Sequence, residues 1–271
     1  MTEVLKLGFS PCPNDTFMFH DLVHGVTGVE NIEFDYQLLD IEALNRHSQE
    51  VPSPFDVTKL SIPAFARCKD HYTLLSAGAA LGRGCGPLVV RSAGRDDLLS
   101  LGDLAGKRVA IPGRLTTAFM LLRMFGPENF EPVEMRFDQI MPAVAEGAVD
   151  AGLVIHESRF TYAEHGLVEL VDAGELWETE TDLPLPLGVI AARNSLGTDR
   201  IEKIGNALRQ SIKNAFDNPI RSAAWIAKHA QEMDASVCRR HIELYVNEFS
   251  LELGHEGHAA IDRALQVPNL T

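Results

Sequence analysis

Short apolar runs alternate with stretches of helical periodicity along the first two thirds of the chain: VLKLGF, IEFDYQLL, FDVTKLS, YTLLSAG, PLVVRS, KRVAIPG, PVEMRF, DAGLVI and LVELVD. Each run is a strand's length of aliphatic and β-branched residues. Strands spaced by amphipathic helices pack as a largely parallel sheet with helices on its faces, so the pattern predicts an α/β fold. Beyond PLGVIAARN only three-to-four spacing remains, over 201–216, 220–229, 235–249 and 256–264, and the tail is predicted to be helical. Two extended apolar stretches opened by Gly and Pro, at 86–90 and 184–190, read as crossings between lobes. The segment between them has its own strand-helix alternation. The expected organisation is lobe I at 1–86 plus 190–271, interrupted by lobe II at 91–185, with crossings near 86–91 and 184–190. A ligand cleft would lie between the lobes. No repeat of fixed period is visible.

Composition narrows the partners. The 271 residues are 45% hydrophobic and carry a formal charge of −14, with no run of Lys or Arg. Nucleic acid and anionic membrane surfaces need clustered cations, so a small molecule is the expected partner. An anionic ligand would have to be met locally, by helix N-termini or by one or two placed basic side chains. Cys12, Cys68, Cys85 and Cys238 form no C-x-x-C pair, which excludes a zinc knuckle and a dithiol site and predicts reduced thiols. MTEVLKLGFS has no basic n-region followed by a long apolar segment, and no run reaches the roughly 18 residues of a membrane span. The expected location is the cytoplasm.

Three junctions share one design. In LGFSPCPNDTFMFHDLVHG a buried strand meets an amphipathic helix expected to bury Phe17, Leu22 and Val23 and to end at Gly25. Asn14, Asp15 and Thr16 are the residue types that accept hydrogen bonds from a helix's first N–H groups. VTKLSIPAFARC places Lys59, Leu60 and Ser61 at a strand end with Pro63 in a first helical turn, and VAIPGRLTTAFMLLRMF does the same with Gly113, Arg114, Thr116, Thr117 and Ala118. Singly, each is an ordinary cap. Together, at the carboxyl ends of α/β strands, they favour a site for a carboxylate or several hydroxyls.

In VDAGLVIHESRFTY an apolar strand runs into His156, and of the ten histidines only this one stands at such a strand end. Imidazole there suits a general base, because its proton affinity is tunable near neutrality. Other patterns lead nowhere. His20 and His24 lack a third ligand, HEGH at 255–258 is not H-E-x-x-H, and no G-x-S-x-G elbow exists, so no metal and no serine nucleophile are predicted. GAALGRGCG at 78–86 fits no phosphate-binding loop and reads as a tight or mobile loop.

LGFSPCPNDTFMF, TKLS, ALGRGCGPLVV, PGRLTTAF, GLVIHESRFTY and LPLPLG stand in the order, and with nearly the spacing, of the 1,4-dihydroxy-6-naphthoate synthases. The chain resembles that family, which serves the futalosine route to menaquinone, over almost its whole length. The resemblance implies a two-lobed fold like type II periplasmic binding proteins, but cytoplasmic and catalytic. It implies that cyclic dehypoxanthinyl futalosine is split into 1,4-dihydroxy-6-naphthoate and a three-carbon sugar fragment without a redox or metal cofactor. It implies His156 as the base, with Lys59, Leu60, Ser61, Thr117 and Ala118, beside Thr116, binding substrate and Asn45 as a further site residue. Leu115 departs from relatives that are polar there, which bears on fine substrate contacts. The related chorismate dehydratases share the fold but lack the H-E-S-R-F segment. Chorismate dehydration and non-catalytic binding of a small carboxylate remain the alternatives to a lyase, and oligomeric state stays open.

Overall fold

A computed structural model describes residues 2–231 and 234–268. Its strands are β1 (Glu3–Phe9), β2 (Ile32–Leu38), β3 (Val57–Ser61), β4 (Tyr72–Leu74), β5 (Ala80–Gly82), β6 (Leu88–Ser92), β7 (Arg108–Ile111), β8 (Glu131–Glu134), β9 (Ala151–Val154), β10 (Leu167–Asp172) and β11 (Leu185–Arg193). Its helices are α1 (Pro13–Val23), α2 (Ile41–His47), α3 (Ile62–Cys68), α4 (Thr117–Phe125), α5 (Phe137–Ala145), α6 (Ser158–Thr161), α7 (Ala173–Thr181), α8 (Thr198–Asp217), α9 (Ala223–His229), α10 (Ala235–Tyr245), α11 (Glu248–Leu251) and α12 (Gly254–Leu265). The chain forms two compact units, one reaching from the N-terminus to Gly82 and resuming at Pro186, the other from Arg83 to Leu185.

The first unit is a six-stranded sheet in the order β2-β1-β3-β11-β4, with β5 also paired to β11. β2, β1 and β3 are parallel, and β11 runs antiparallel to β3 and β4. At the edge, Ile32, Phe34, Tyr36 and Leu38 turn to the core while Glu33, Asp35 and Gln37 turn to solvent, the alternation of a half-buried strand. The centre is continuous: Leu5, Leu7, Phe9 and Ile190 pack with Phe17, Met18 and Phe19 of α1 and with Ile204, Leu208 and Ile212 of α8. Phe9 stacks on Phe19 at 4.4 Å.

The second unit is a five-stranded sheet, β10-β6-β9-β7-β8, with β8, β7 and β9 parallel and β6 antiparallel to β9 and β10. Here successive residues serve opposite faces. Val109, Ile111 and Leu153 join Ala118 and Leu122 of α4, whereas Ala110 and Val154 join Ile140 and Val144 of α5. Strands covered on both sides are apolar throughout, which is why RVAI and AGLV show no alternation. Gly152 is small because α5 lies on it: a Cβ there would stand 2.6 Å from Ile140 Cγ2. The two sheets follow one plan, since β8-β7-β9-β6 repeats the order and directions of β2-β1-β3-β11.

Three expectations change. The stretch at 78–86 contains a strand, β5, rather than only a loop. Helix α1 starts at Pro13 with Cys12 as its N-cap, so Asn14, Asp15 and Thr16 are first-turn residues and not caps; Val23 is half-buried. The tail is more broken than its periodicity suggests: a 3₁₀ turn at Pro219–Ser222 precedes α9, and Asn247 ends the 235–249 stretch as a helix by capping α11 with its side chain. Among the described residues no helix is long and apolar enough to cross a membrane.

Candidate functional site

In the first unit the parallel pairing of Leu7 with Val57 and Gly8 with Thr58 brings the carboxyl ends of β1 and β3 side by side. The turn after β1 therefore meets Lys59. Asp15, wholly buried, receives the Lys59 ammonium on Oδ1 together with the Asn14 Nδ2 amide at 3.1 Å, while the Ser10 hydroxyl (2.6 Å) and backbone N–H (3.1 Å) donate to Oδ2. A buried carboxylate holds its charge only when its oxygens are paired in this way. Lys59 is 6% exposed and spends one of its three N–H donors on Asp15; among the described residues no second acceptor reaches its Nζ. On the neighbouring strand a Cβ at Gly188 would stand 3.1 Å from Leu60 O and in ordinary contact, at 3.4 Å, with Lys59 Cε.

Two residues on, Ser61 is held by Asn45. The Asn45 Oδ1 accepts the Ser61 backbone N–H at 2.9 Å and its Nδ2 donates to Ser61 Oγ at 3.0 Å. The hydroxyl acts as acceptor in that bond, so its own proton is directed elsewhere. Leu60, between them, faces the opposite side of the sheet and is wholly buried. Asn45, Lys59 and Ser61 thus form one buried polar group at the strand end.

The second unit repeats the arrangement. Ala110 pairs with Gly152 in parallel register, so the ends of β7 and β9 are neighbours. After β7, Gly113 takes a φ of +147°, and Thr116 caps α4: its Oγ1 donates to Gly113 O (2.8 Å) and accepts from Phe119 N (3.2 Å). Thr117 and Ala118 follow, each 3% exposed, in the first turn of α4. Leu115 is buried beside them, and Arg114 pairs with Glu134 at 2.6 Å.

His156 stands two residues past β9 with a φ of +58°, in the left-handed region that non-glycine residues seldom occupy. That turn reverses the chain into α6, and Arg159 N donates to His156 O at 3.3 Å. The imidazole is half-buried and meets the Phe137 ring edge to face, with centroids 4.9 Å apart. Behind it, Arg159 donates to Gly86 O (2.7 Å) and to Asp172 Oδ2 (2.6 Å), whose other oxygen caps α7 through Gly174 N at 2.8 Å. Gly86 and Gly174 touch backbone to backbone: a Cβ on Gly86 would lie 2.3 Å from Gly174 Cα. Gly86→Ala should therefore destabilise the chain by about 2–3 kcal/mol, read as a lower urea midpoint at unchanged m. A midpoint equal to that of the parent would refute this contact.

The residue pattern did not reveal Asp15 as the partner of Lys59, nor Phe137, Arg159 and Asp172 behind His156. The only signals were the acidic first turn in PNDT and the Arg in HESRF, both of which have ordinary local explanations. The His20 and His24 rings lie tilted to each other with centroids 4.4 Å apart, and both meet Trp225 edge to face. All four cysteines are buried thiols, and burial, with the Glu178 carboxylate as a second cause, pushes the Cys85 thiol up to about 12. The native protein should accordingly resist iodoacetamide at neutral pH and take up four labels only after unfolding. Rapid native labelling of Cys85, followed by peptide mass spectrometry, would contradict its burial.

Two α/β units of this plan, with polar groups at the ends of their parallel strands, define a protein with the periplasmic-binding-protein fold. A Candida albicans protein described as having that generic fold superposes with a TM-score of 0.71 at 13% identity, over 97% of this chain and 89% of its own. A crystallised Archaeoglobus fulgidus protein is closer, at TM-score 0.89 and 37% identity over 97% and 96% of the two chains. The chain belongs to the menaquinone biosynthesis family, whose model matches residues 5–267. It is 49% identical to the 1,4-dihydroxy-6-naphthoate synthase of Thermus thermophilus over 262 residues, 96% of this chain and 92% of that one.

Proposed function

We propose that this protein is a carbon–carbon lyase of the cytoplasm that converts cyclic dehypoxanthinyl futalosine to 1,4-dihydroxy-6-naphthoate and a three-carbon sugar fragment. The observation that carries the reading is His156, held in a left-handed turn at the end of a buried strand in a chain 49% identical to a synthase of that name. In this reading His156 removes a proton and starts a retro-aldol-like fragmentation that ends in aromatisation. The two unspent N–H donors of Lys59, the Ser61 hydroxyl, Asn45 and the turn at Thr116, Thr117 and Ala118 bind the substrate's carboxylate and hydroxyls. An ammonium already held by Asp15 loses little freedom on binding, which favours affinity and orientation alike.

The test is product analysis by mass spectrometry after incubating the purified protein with cyclic dehypoxanthinyl futalosine, with chorismate offered in parallel. Dihydroxynaphthoate and the three-carbon fragment in equal amounts are expected, with chorismate unchanged. Loss of water from chorismate would transfer the assignment to the dehydratase reaction, and binding without any product would make the protein a carboxylate-binding module.

A further inference from the structure

We propose that His241 and Asn14 are positioning residues for Lys59, acting through Asp15. The inference rests on the reading above, in which Lys59 binds substrate. Four side chains from three elements form a line inside the first unit: His241 of α10, Asn14 and Asp15 of α1, and Lys59 of β3. All are buried, at 1%, 4%, 0% and 6% exposure. His241 Nε2 lies 3.0 Å from Asn14 Oδ1, Asn14 Nδ2 donates to Asp15 Oδ1 at 3.1 Å, and the same oxygen receives the Lys59 ammonium.

The chemistry assigns direction along this line. Asn14 has one donor end and one acceptor end, and its donor end is committed to a carboxylate that can only accept. Its carbonyl oxygen therefore faces His241, and two acceptors cannot share a 3.0 Å contact, so His241 Nε2 carries a proton. His241 in turn is fixed by packing, with its ring 4.6 Å from that of Tyr245 one helical turn on. The consequence reaches the lysine. Asn14 and Lys59 compete for one oxygen while Ser10 occupies the other, so the orientation of the Asn14 amide sets where on the carboxylate the ammonium rests. Reversing that amide would put its oxygen against Asp15 and push the carboxylate off the lysine.

Two readouts test the proposal. The first needs no activity: in protein carrying ¹⁵N-histidine, the His241 resonances, identified by their loss in His241→Gln, should show a protonated Nε2 near neutral pH. An Nδ1–H tautomer would overturn the assigned direction. The second uses turnover of cyclic dehypoxanthinyl futalosine. His241→Phe, which keeps a ring but has no donor, should raise KM about tenfold with kcat changed less than about threefold, whereas His241→Gln, whose amide supplies an N–H, should recover KM to within about threefold of the parent. A folded His241→Phe protein with the parent's KM would refute the role. If that variant does not fold, Asn14→Leu takes its place under the same criteria, and the tautomer still decides. Failure of the unmodified protein to turn over the substrate would instead count against the proposed function and leave the tautomer assignment standing.

Discussion

A His156→Asn protein should fold as the parent does and lose about 10²–10⁴-fold in kcat, the range that removing a general base costs. Asparagine is the informative replacement because the backbone at 156 has φ +58°: asparagine tolerates the left-handed region, whereas alanine there would add strain of about 1 kcal/mol and mix a folding defect with a chemical one. The amide cannot take up a proton at working pH, so under the proposed function the substrate would be held and not broken. KM should change little while single-turnover product formation collapses. A variant whose rate stays within tenfold of the parent would remove His156 from the chemistry and leave it as a residue of the turn.

The largest effect on stability is expected at Asp15 and Lys59. Lys59→Met leaves a wholly buried carboxylate with Ser10 and Asn14 as donors and no counter-charge, and Asp15→Asn leaves a buried ammonium without its anion. Either single change should cost about 3–5 kcal/mol of unfolding free energy, because most of the loss is the uncompensated charge that stays behind. The double variant Asp15→Asn with Lys59→Met removes both charges with little change of volume and should recover most of that stability. Under the proposed function activity should not return with it, since the ammonium assigned to the substrate is gone. Urea midpoints for the four proteins close the cycle. Additive losses would mean that the two side chains do not act as a pair.

These two expectations draw on different depths of the sequence. The sheets were legible because a strand covered on both faces must be apolar along its length, so RVAI and AGLV announce themselves, and the residues after them, Thr116 and His156, fall at strand ends as a matter of counting. Strand β5 was not legible: Ala80, Leu81 and Gly82 are a strand only because β11 is there to pair with them. The partner of Asp15 was not legible for a related reason. An acidic residue at a helix start has a sufficient local explanation as a cap, and its real partner lies 44 residues away, brought close by the parallel register of β1 and β3. The positive φ of His156 leaves no trace in residue type, because no glycine stands at that turn. The roles proposed for Asn45, Lys59, Ser61, Thr117 and Ala118 rest on the family resemblance, since residue type alone marks them as caps and polar core.

The pairing of β5 with β11 also bears on whether the first unit folds alone. The first unit is interrupted between Gly82, the last residue of β5, and Pro186, near the start of β11, and these strands are hydrogen-bonded neighbours. The interruption thus falls between two paired strands of one sheet, and the first unit has a hydrophobic core of its own. A chain in which a short glycine-serine turn replaces residues 83–185, joining Gly82 to Pro186, should retain a cooperative urea transition, and a gradual one would show that the first unit depends on the second. A cooperative transition in that shortened chain would mean that the core around Phe9 and Ile190 closes without residues 83–185.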